Sequence, residues 1–98
     1  MDDAQVRCAL DLSGRPFAHV ELGLTREAIG AIACENLAHV FHSLAMAARM
    51  TLHVDVLRGA NDHHRAEAAF KALALALREA VAQDGGGAVP STKGTLTA

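Results

Sequence analysis

The sequence predicts an α+β fold in which a small, mainly antiparallel or mixed sheet packs against two helices. Residues 5–11, 17–24 and 50–57 alternate apolar and polar side chains, the pattern of strands with one buried face. Residues 33–49 and about 61–83 repeat apolar residues every three or four positions, as amphipathic helices do. Strands mixed with helices in this order favour two layers around a single core.

The first two predicted strands are separated by the turn residues Ser13-Gly14-Arg15-Pro16. The apolar positions are Val6, Cys8 and Leu10 in the first strand and Ala18, Val20 and Leu22 in the second. We expect these two strands to pair as a hairpin. A short strand around residues 28–32, interrupted by Gly30, is a further prediction.

Each predicted helix carries an apolar stripe, and the strand between them carries an apolar face. The stripe of the first helix is Leu37, Phe41, Leu44 and Ala48, and that of the second is Ala66, Phe70, Leu73, Leu77 and Val81. The intervening strand places Leu52, Val54 and Val56 on one side. Asn61 or Asp62 is expected to cap the second helix, and the glycines after Asp84 are expected to end it.

The composition indicates one cytoplasmic domain. Ninety-eight residues suit one modest core, and three Phe are the only aromatic residues, so assembly with other chains would add useful buried area. A net charge of −2 with no basic stripe argues against nucleic acid, and no apolar run is long enough for a membrane span. The N-terminus has no signal-peptide pattern. Cys8 and Cys34 are expected as reduced thiols, and a disulfide between them is the alternative.

Six histidines in 98 residues call for a chemical explanation. His63 and His64 begin the second predicted helix, and Glu67 follows at spacings that place imidazole and carboxylate on one helical face. Such nitrogen and oxygen donors bind divalent first-row metals. Adjacent histidines point in different directions, so they suit two metal ions better than one. From spacing alone, a metal site and an ordinary polar helix start both remain open.

Other polar residues are weaker candidates. Lys71, one turn beyond Glu67, could meet a phosphate, but an ordinary Glu–Lys surface pair is favoured without other information. His39 lies beside the apolar stripe of its helix, and His42 shares its side, while His19 and His53 are expected to be structural or exposed. Ser91-Thr92-Lys93-Gly94 could surround an anion, although the composition favours a disordered terminus.

Several motifs together resemble the second half of imidazoleglycerol-phosphate dehydratases, most closely the fungal members. The motifs, which extend over nearly all of the chain, are Asp11-Leu12-Ser13-Gly14-Arg15-Pro16, Thr51-Leu52-His53-Val54, Gly59-Ala60-Asn61-Asp62-His63-His64, Glu67, Phe70-Lys71-Ala72-Leu73-Ala74 and Pro90-Ser91-Thr92-Lys93-Gly94. Each motif alone would be a weak indication. Their shared order and spacing make the resemblance specific.

The resemblance implies a lyase of histidine biosynthesis that dehydrates imidazole glycerol phosphate to imidazole acetol phosphate. It implies two manganese ions per site, held at subunit interfaces. The metal ligands that it carries over are His39, His63, His64 and Glu67, and the groups that hold the substrate phosphate are Arg15, Lys71, Ser91 and Lys93. It further implies that residues 1–98 form one half-domain like the second domain of ribosomal protein S5, with an ordered core at about 4–84 and a phosphate-binding tail at 85–98.

The chain resembles only the second half of the family's sequence. The first half, which contains the main acid/base residue, is therefore expected to come from outside this chain. One hypothesis is therefore that this chain completes a dehydratase together with that half or with other subunits. The other is a half-domain that binds metal and catalyses nothing. A metal-dependent hydrolase is a remoter alternative, supported by Glu67 alone.

Overall fold

The computed structural model describes residues 3–85, and within them five strands and two helices form an α+β fold. The strands are β1 (Gln5–Asp11), β2 (Phe17–Glu21), β3 (Ala28–Ile29), β4 (Ile32–Ala33) and β5 (Thr51–Arg58). The helices are α1 (Cys34–Ala48) and α2 (Asp62–Gly85). The predicted fold class, a small mixed sheet with two helices, is confirmed, while the likeness to ribosomal protein S5 stays a prediction.

The main sheet has the strand order β1-β5-β2. β5 pairs antiparallel with β1 and parallel with β2, so it lies between the first two strands of the chain. The predicted hairpin between the first two strands is therefore wrong. The inner side chains of β5 explain its central place, because Leu52 and Val54 are fully buried there between two flanking strands.

The short predicted strand around Gly30 is a two-stranded hairpin of β3 and β4. Ala28 pairs with Ala33, and Ile29 pairs with Ile32. Gly30 has a φ of 62° at the turn, a left-handed conformation that residues with a Cβ rarely adopt. This glycine therefore turns the chain between the two strands and leads it into α1.

The core lies between the sheet and the helices. Its buried residues are Leu22, Phe41, Ala45, Met50, Leu52, Val54, Ala69 and Leu73. The two helices meet this core through stacked rings, since the ring centroids of Phe41 and Phe70 are 4.5 Å apart. The helices therefore cover one face of the sheet, and the opposite face carries the alternate, more exposed side chains of the three strands.

Both predicted helix stripes are wrong at their last positions. Ala48 is exposed, and Val81 is 56% exposed, while Ala45 and Ala69 are fully buried instead. The reason for Val81 is length: 24 helical residues extend about 36 Å, whereas the seven residues of β1 extend about 24 Å. The last turns of α2 therefore run beyond the sheet. Neither helix within residues 3–85 is long and apolar enough to cross a membrane.

Candidate metal and phosphate site

The first turn of α2 is capped by Asn61. Its Oδ1 accepts a hydrogen bond from the backbone N–H of His64 at 3.1 Å, and its carbonyl accepts one from Arg65 at 2.9 Å. An N-cap side chain satisfies one of the backbone donors that the first helical turn leaves unpaired. The cap thus fixes the backbone that carries the two adjacent histidines. Asn61 is one of the two residues that the sequence predicts as the cap.

Asp62 joins this helix start to the chain that follows β2. Its carboxylate is buried and accepts hydrogen bonds from the backbone N–H groups of Thr25 and Arg26 at 3.0 and 2.7 Å. A buried carboxylate is stable only when such donors replace its hydration. Asp62 therefore points inward, which directs the next residue, His63, toward solvent.

Arg65 provides a second anchor. Its Nε donates to the carbonyl of Leu22 at 2.9 Å, and one terminal nitrogen donates to the carbonyl of Gly59 at 2.7 Å. The guanidinium lies so close to Gly23 that a Cβ there would collide with it. Gly23 has a φ of 64°, so glycine meets both a conformational and a steric requirement. Sequence reasoning gave Arg65 no role.

His63, Glu67 and Lys71 form a line on the outer side of α2. The Nε2 of His63 lies 3.2 Å from one carboxylate oxygen of Glu67, and the Nζ of Lys71 lies 3.4 Å from the other. Their side chains are 60%, 37% and 64% exposed, so a ligand could reach all three. The predicted projection of these residues from one side of the helix is confirmed.

His64 points elsewhere. Its Nδ1 lies 2.7 Å from Oδ1 of Asp3, and its ring is tilted by 70° to that of His63. Partial removal from water raises the pKa of the Asp3 carboxyl. The net pKa nevertheless lies below its ordinary value, because the carboxylate accepts hydrogen bonds from His64 and from backbone N–H groups and is attracted by the charge of protonated His64. The two adjacent histidines are thus oriented by separate carboxylates, and the two-metal interpretation stays a prediction.

His39 does not join this group within the chain. It is exposed on α1, where its Nε2 lies 3.4 Å from the hydroxyl of Ser43. Among residues 3–85, no three His, Cys, Asp or Glu side chains are close enough to hold a metal ion. The physical reason is that α1 packs against β2 and α2 against β1. The assignment of His39 as a ligand stays a prediction.

Arg15 lies at the opposite end of the sheet from the start of α2. Its carbonyl accepts a hydrogen bond from the hydroxyl of Thr51, the first residue of β5, at 2.9 Å. His63 comes five positions after Arg58, the last residue of β5, and the eight residues of this strand extend roughly 27 Å. One chain therefore does not bring Arg15 to His63. Ser91 and Lys93, the other predicted phosphate ligands, lie outside the described residues.

The outer face of the sheet holds a second group of polar and aromatic side chains. His19 and His53 are paired across β2 and β5 with ring centroids 6.0 Å apart, and Phe17 lies 5.6 Å from His53. The Nε2 of His19 is 3.4 Å from a carboxylate oxygen of Asp55. His19 and His53 are exposed, in agreement with the prediction for them.

Both cysteines are free thiols and neither belongs to the candidate site. Cys34 is buried at the start of α1, and Cys8 faces the helices from β1. Burial raises the pKa of the Cys8 thiol, because the thiolate would lose its hydration there. No disulfide joins Cys8 to Cys34 in this structure, and neither thiol lies at the start of α2. That the cysteines are reduced in solution stays a prediction.

Comparison with known proteins identifies close relatives. A sequence model of the family described as imidazoleglycerol-phosphate dehydratase matches residues 1–77. Proteins of that name from Scheffersomyces stipitis and Pyricularia oryzae are each 60% identical, over 96 and 99 residues, or 98% and 99% of this chain. The Saccharomyces cerevisiae protein is 58% identical over 96 residues. The chain spans only 43–44% of the length of these three relatives.

Solved structures agree with this similarity. The imidazoleglycerol-phosphate dehydratase of Staphylococcus aureus superposes with a TM-score of 0.76 at 39% identity, over 79% of this chain and 45% of that one. A structure of IGPD from Pyrococcus furiosus in complex with (S)-C348 superposes with a TM-score of 0.70 at 42% identity, over 80% of this chain and 44% of that one. Fold and sequence therefore point to the same group of proteins.

Proposed function

Because the chain belongs to the imidazoleglycerol-phosphate dehydratase family, we propose that it supplies one half of a metal-dependent lyase of histidine biosynthesis. The substrate is imidazole glycerol phosphate and the product is imidazole acetol phosphate. The line formed by His63, Glu67 and Lys71 carries this proposal, since it places two metal-type donors beside a cation. The proposed compartment is the cytoplasm, where the free thiols of Cys8 and Cys34 would stay reduced.

The spacing of His63 and Glu67 fits two ligands of one divalent ion. Donor atoms that each lie about 2.1 Å from a metal, at angles between 90° and 109°, are themselves about 3.0–3.4 Å apart. The Nε2 and Oε1 atoms of this pair are 3.2 Å apart. The pair also lies on one helical face, so little rearrangement is needed to receive an ion.

The donor set suits manganese. Imidazole and carboxylate ligands bind hard and borderline divalent ions, while soft ions prefer thiolates, and both cysteines lie away from the pair. We propose two manganese ions per site. His63 and Glu67 would serve one ion and His64 the other, because His64 points toward Asp3 instead of Glu67. His39 is the proposed additional ligand.

The phosphate of the substrate is proposed to meet Lys71, with Arg15, Ser91 and Lys93 completing the anion site. Lys71 supports this role, because its ammonium already lies beside the proposed metal ligand Glu67 at 3.4 Å. A phosphate close to both would be held by opposite charge from the lysine and from the ion.

The placement of Arg15 and His39 favours a site built from more than one chain. Arg15 lies at the far end of β5 from His63, and His39 stands on the other helix. A small phosphorylated substrate does not bridge the roughly 27 Å length of that strand. Other subunits, or the complementary half of the family, are therefore the proposed partners. Symmetric assembly brings such separated surfaces together.

The proposed reaction removes a hydroxyl and a carbon-bound proton, which leave as water. A bound divalent ion would supply electrostatic stabilisation of the charge that develops. His63, His64 and Glu67 would fix the ions, and Lys71 would hold the phosphate so that the reacting carbons are correctly oriented. The main acid/base residue is proposed to lie outside this chain, because Glu67 is occupied as a metal ligand.

A metal-binding half-domain without catalysis is the second candidate. It is favoured by one observation: residues 3–85 contain no complete group of three metal ligands. In this case His63 and Glu67 would bind manganese weakly, and turnover would not follow on assembly.

Turnover in a chimeric enzyme separates the two candidates. We define the chimeric enzyme as the full-length Saccharomyces cerevisiae relative in which this chain replaces the corresponding segment. We expect it to dehydrate imidazole glycerol phosphate in the presence of manganese, and the chain alone to be inactive. His63→Ala or Glu67→Gln should lower kcat/KM by at least about 100-fold, while His19→Ala, on the outer sheet face, should not. A folded but inactive chimeric enzyme would support the half-domain candidate.

A further inference from the structure

Asp3 meets the start of α2 from a distant part of the sequence. One carboxylate oxygen lies 2.7 Å from Nδ1 of His64, and the other accepts the backbone N–H of Ala60 at 3.3 Å. An ionised carboxylate only accepts hydrogen bonds, so the Nδ1 of a neutral His64 carries the proton of this contact. The lone pair of the ring is then on Nε2.

The fold holds Asp3 in this place through its backbone. The segment that contains it continues into β1, where Gln5 pairs with Arg58 at the end of β5. Gly59 follows with a φ of 152°, and a Cβ on it would lie 3.2 Å from the Cβ of Ala4. The loop before α2 therefore packs closely against Ala4 at Gly59. This packing keeps the Asp3 carboxylate next to His64.

We propose that Asp3 is a positioning residue that fixes the orientation and the Nδ1–H tautomer of His64, so that Nε2 is the atom offered to a divalent ion. This inference rests on the proposed function, in which His64 is a metal ligand. Carboxylates that accept from the second nitrogen of a ligating histidine fix its tautomer and raise its basicity. Asp3 would have this role for His64 alone, since His63 faces Glu67.

The first test reads the tautomer without any metal. In the chain labelled with ¹⁵N at histidine, long-range ¹H–¹⁵N spectra at a pH where the ring is neutral distinguish a protonated from an unprotonated nitrogen. We expect His64 to be protonated at Nδ1. Asp3→Ala should move the proton population toward Nε2, and Asp3→Asn, which keeps a neutral acceptor, should do so less. Asp55→Ala removes the carboxylate beside His19 and should leave the His64 signals unchanged.

The second test measures manganese affinity in the chimeric enzyme. Asp3→Ala should weaken binding of Mn²⁺ by about 10–100-fold, with Asp3→Glu restoring most of it and Asp55→Ala having no effect. Circular dichroism of each variant checks that the fold is retained. Unchanged tautomer and unchanged affinity in folded Asp3→Ala would overturn the inference while leaving the metal site intact. Absence of Mn²⁺ binding by the unsubstituted chimeric enzyme would instead overturn the proposed function and the inference with it.

Discussion

At the start of α2, side chains from separate parts of the sequence hold two histidines in defined directions. Asn61 caps the helix, Asp62 and Arg65 tie it to the chain around residues 22–26, and Asp3 reaches His64. The first turn of α1 differs, because its N-cap residue is Ala33 and no side chain caps it. His39 lies one turn further along, and within residues 3–85 its side chain forms a single hydrogen bond, with Ser43 at 3.4 Å.

The difference shows which part of the proposed site the chain arranges by itself. Preorganised ligands bind metal with less loss of conformational freedom, and His63 and His64 meet this condition through Glu67 and Asp3. His39 and Arg15 do not, since nothing within residues 3–85 brings them to the helix start. If the proposed site is correct, the chain arranges part of it by itself, and the rest would depend on assembly.

Removing the Asp62 carboxylate should have the largest effect on the helix start. Asp62→Ala leaves the backbone N–H groups of Thr25 and Arg26 without their acceptor, so the free energy of unfolding should fall by about 3 kcal/mol. Urea unfolding followed by circular dichroism measures this. Glu79→Ala, on an exposed position of α2, is the control and should change stability little. A loss for Asp62→Ala no greater than that of the control would contradict the anchoring role.

A Cβ at Gly23 should disturb the Arg65 anchor. Gly23 and Gly14 both have a positive φ, of 64° and 83°, but only at Gly23 would a Cβ collide with the guanidinium. Substitution of either glycine by Ala should lower the free energy of unfolding by about 1–2 kcal/mol because of backbone strain. Gly23→Ala should lower it by about 1 kcal/mol more, because the Arg65 hydrogen bonds are weakened. Equal losses in thermal or urea unfolding would show that Arg65 adjusts without penalty.

Exchanging the capping residues would sharpen the contrast between the two helices. Asn61→Ala should lower the free energy of unfolding by about 1 kcal/mol, because the His64 N–H loses its acceptor. Ala33→Ser places a capping hydroxyl at the start of α1 and should raise the free energy of unfolding by about 0.5 kcal/mol. The urea concentration at the midpoint of unfolding, measured for each of the two variants, tests these two expectations. Stabilisation by Asn61→Ala would contradict the observed cap.

The smallest effect is expected at the Cys8 thiol. Burial raises its pKa, so at pH 8 the folded chain should contain less thiolate at this position than the unfolded chain. Alkylation of the Cys8 peptide by iodoacetamide, measured by mass spectrometry, should therefore be at least about tenfold slower in the folded chain than in urea. Equal rates would indicate that β1 is open to solvent on its inner face.

The secondary structure followed from local patterns, but the pairing of the strands did not. Alternation in residues 5–11 and 50–57 predicts strands because it depends on neighbours in sequence. That β5 inserts between β1 and β2 depends on contacts between residues far apart in sequence, such as Ala18 and Leu52, which are 34 positions apart, and no short-range signal encodes them. The exposed ends of the helix stripes, Ala48 and Val81, were missed for a related reason: periodicity does not report where the sheet ends.

The candidate site divides in the same way. The line His63, Glu67 and Lys71 was predictable, because helical spacing alone aligns residues four apart. Asp3 was not, since 61 positions separate it from His64 and only the β1–β5 pairing brings them together. The position of His39 in the sequence likewise does not indicate how far this residue lies from α2.

The most direct test of the central claim, that the metal site is shared between chains, mixes two inactive variants. His39→Ala and Glu67→Gln are introduced into separate copies of the chimeric enzyme, which are then co-expressed and assayed for dehydration of imidazole glycerol phosphate with Mn²⁺. If His39 and Glu67 of one site come from different copies, random mixed assemblies should recover about a quarter of the unsubstituted activity. Co-assembled variants with no more activity than either variant alone would contradict the claim.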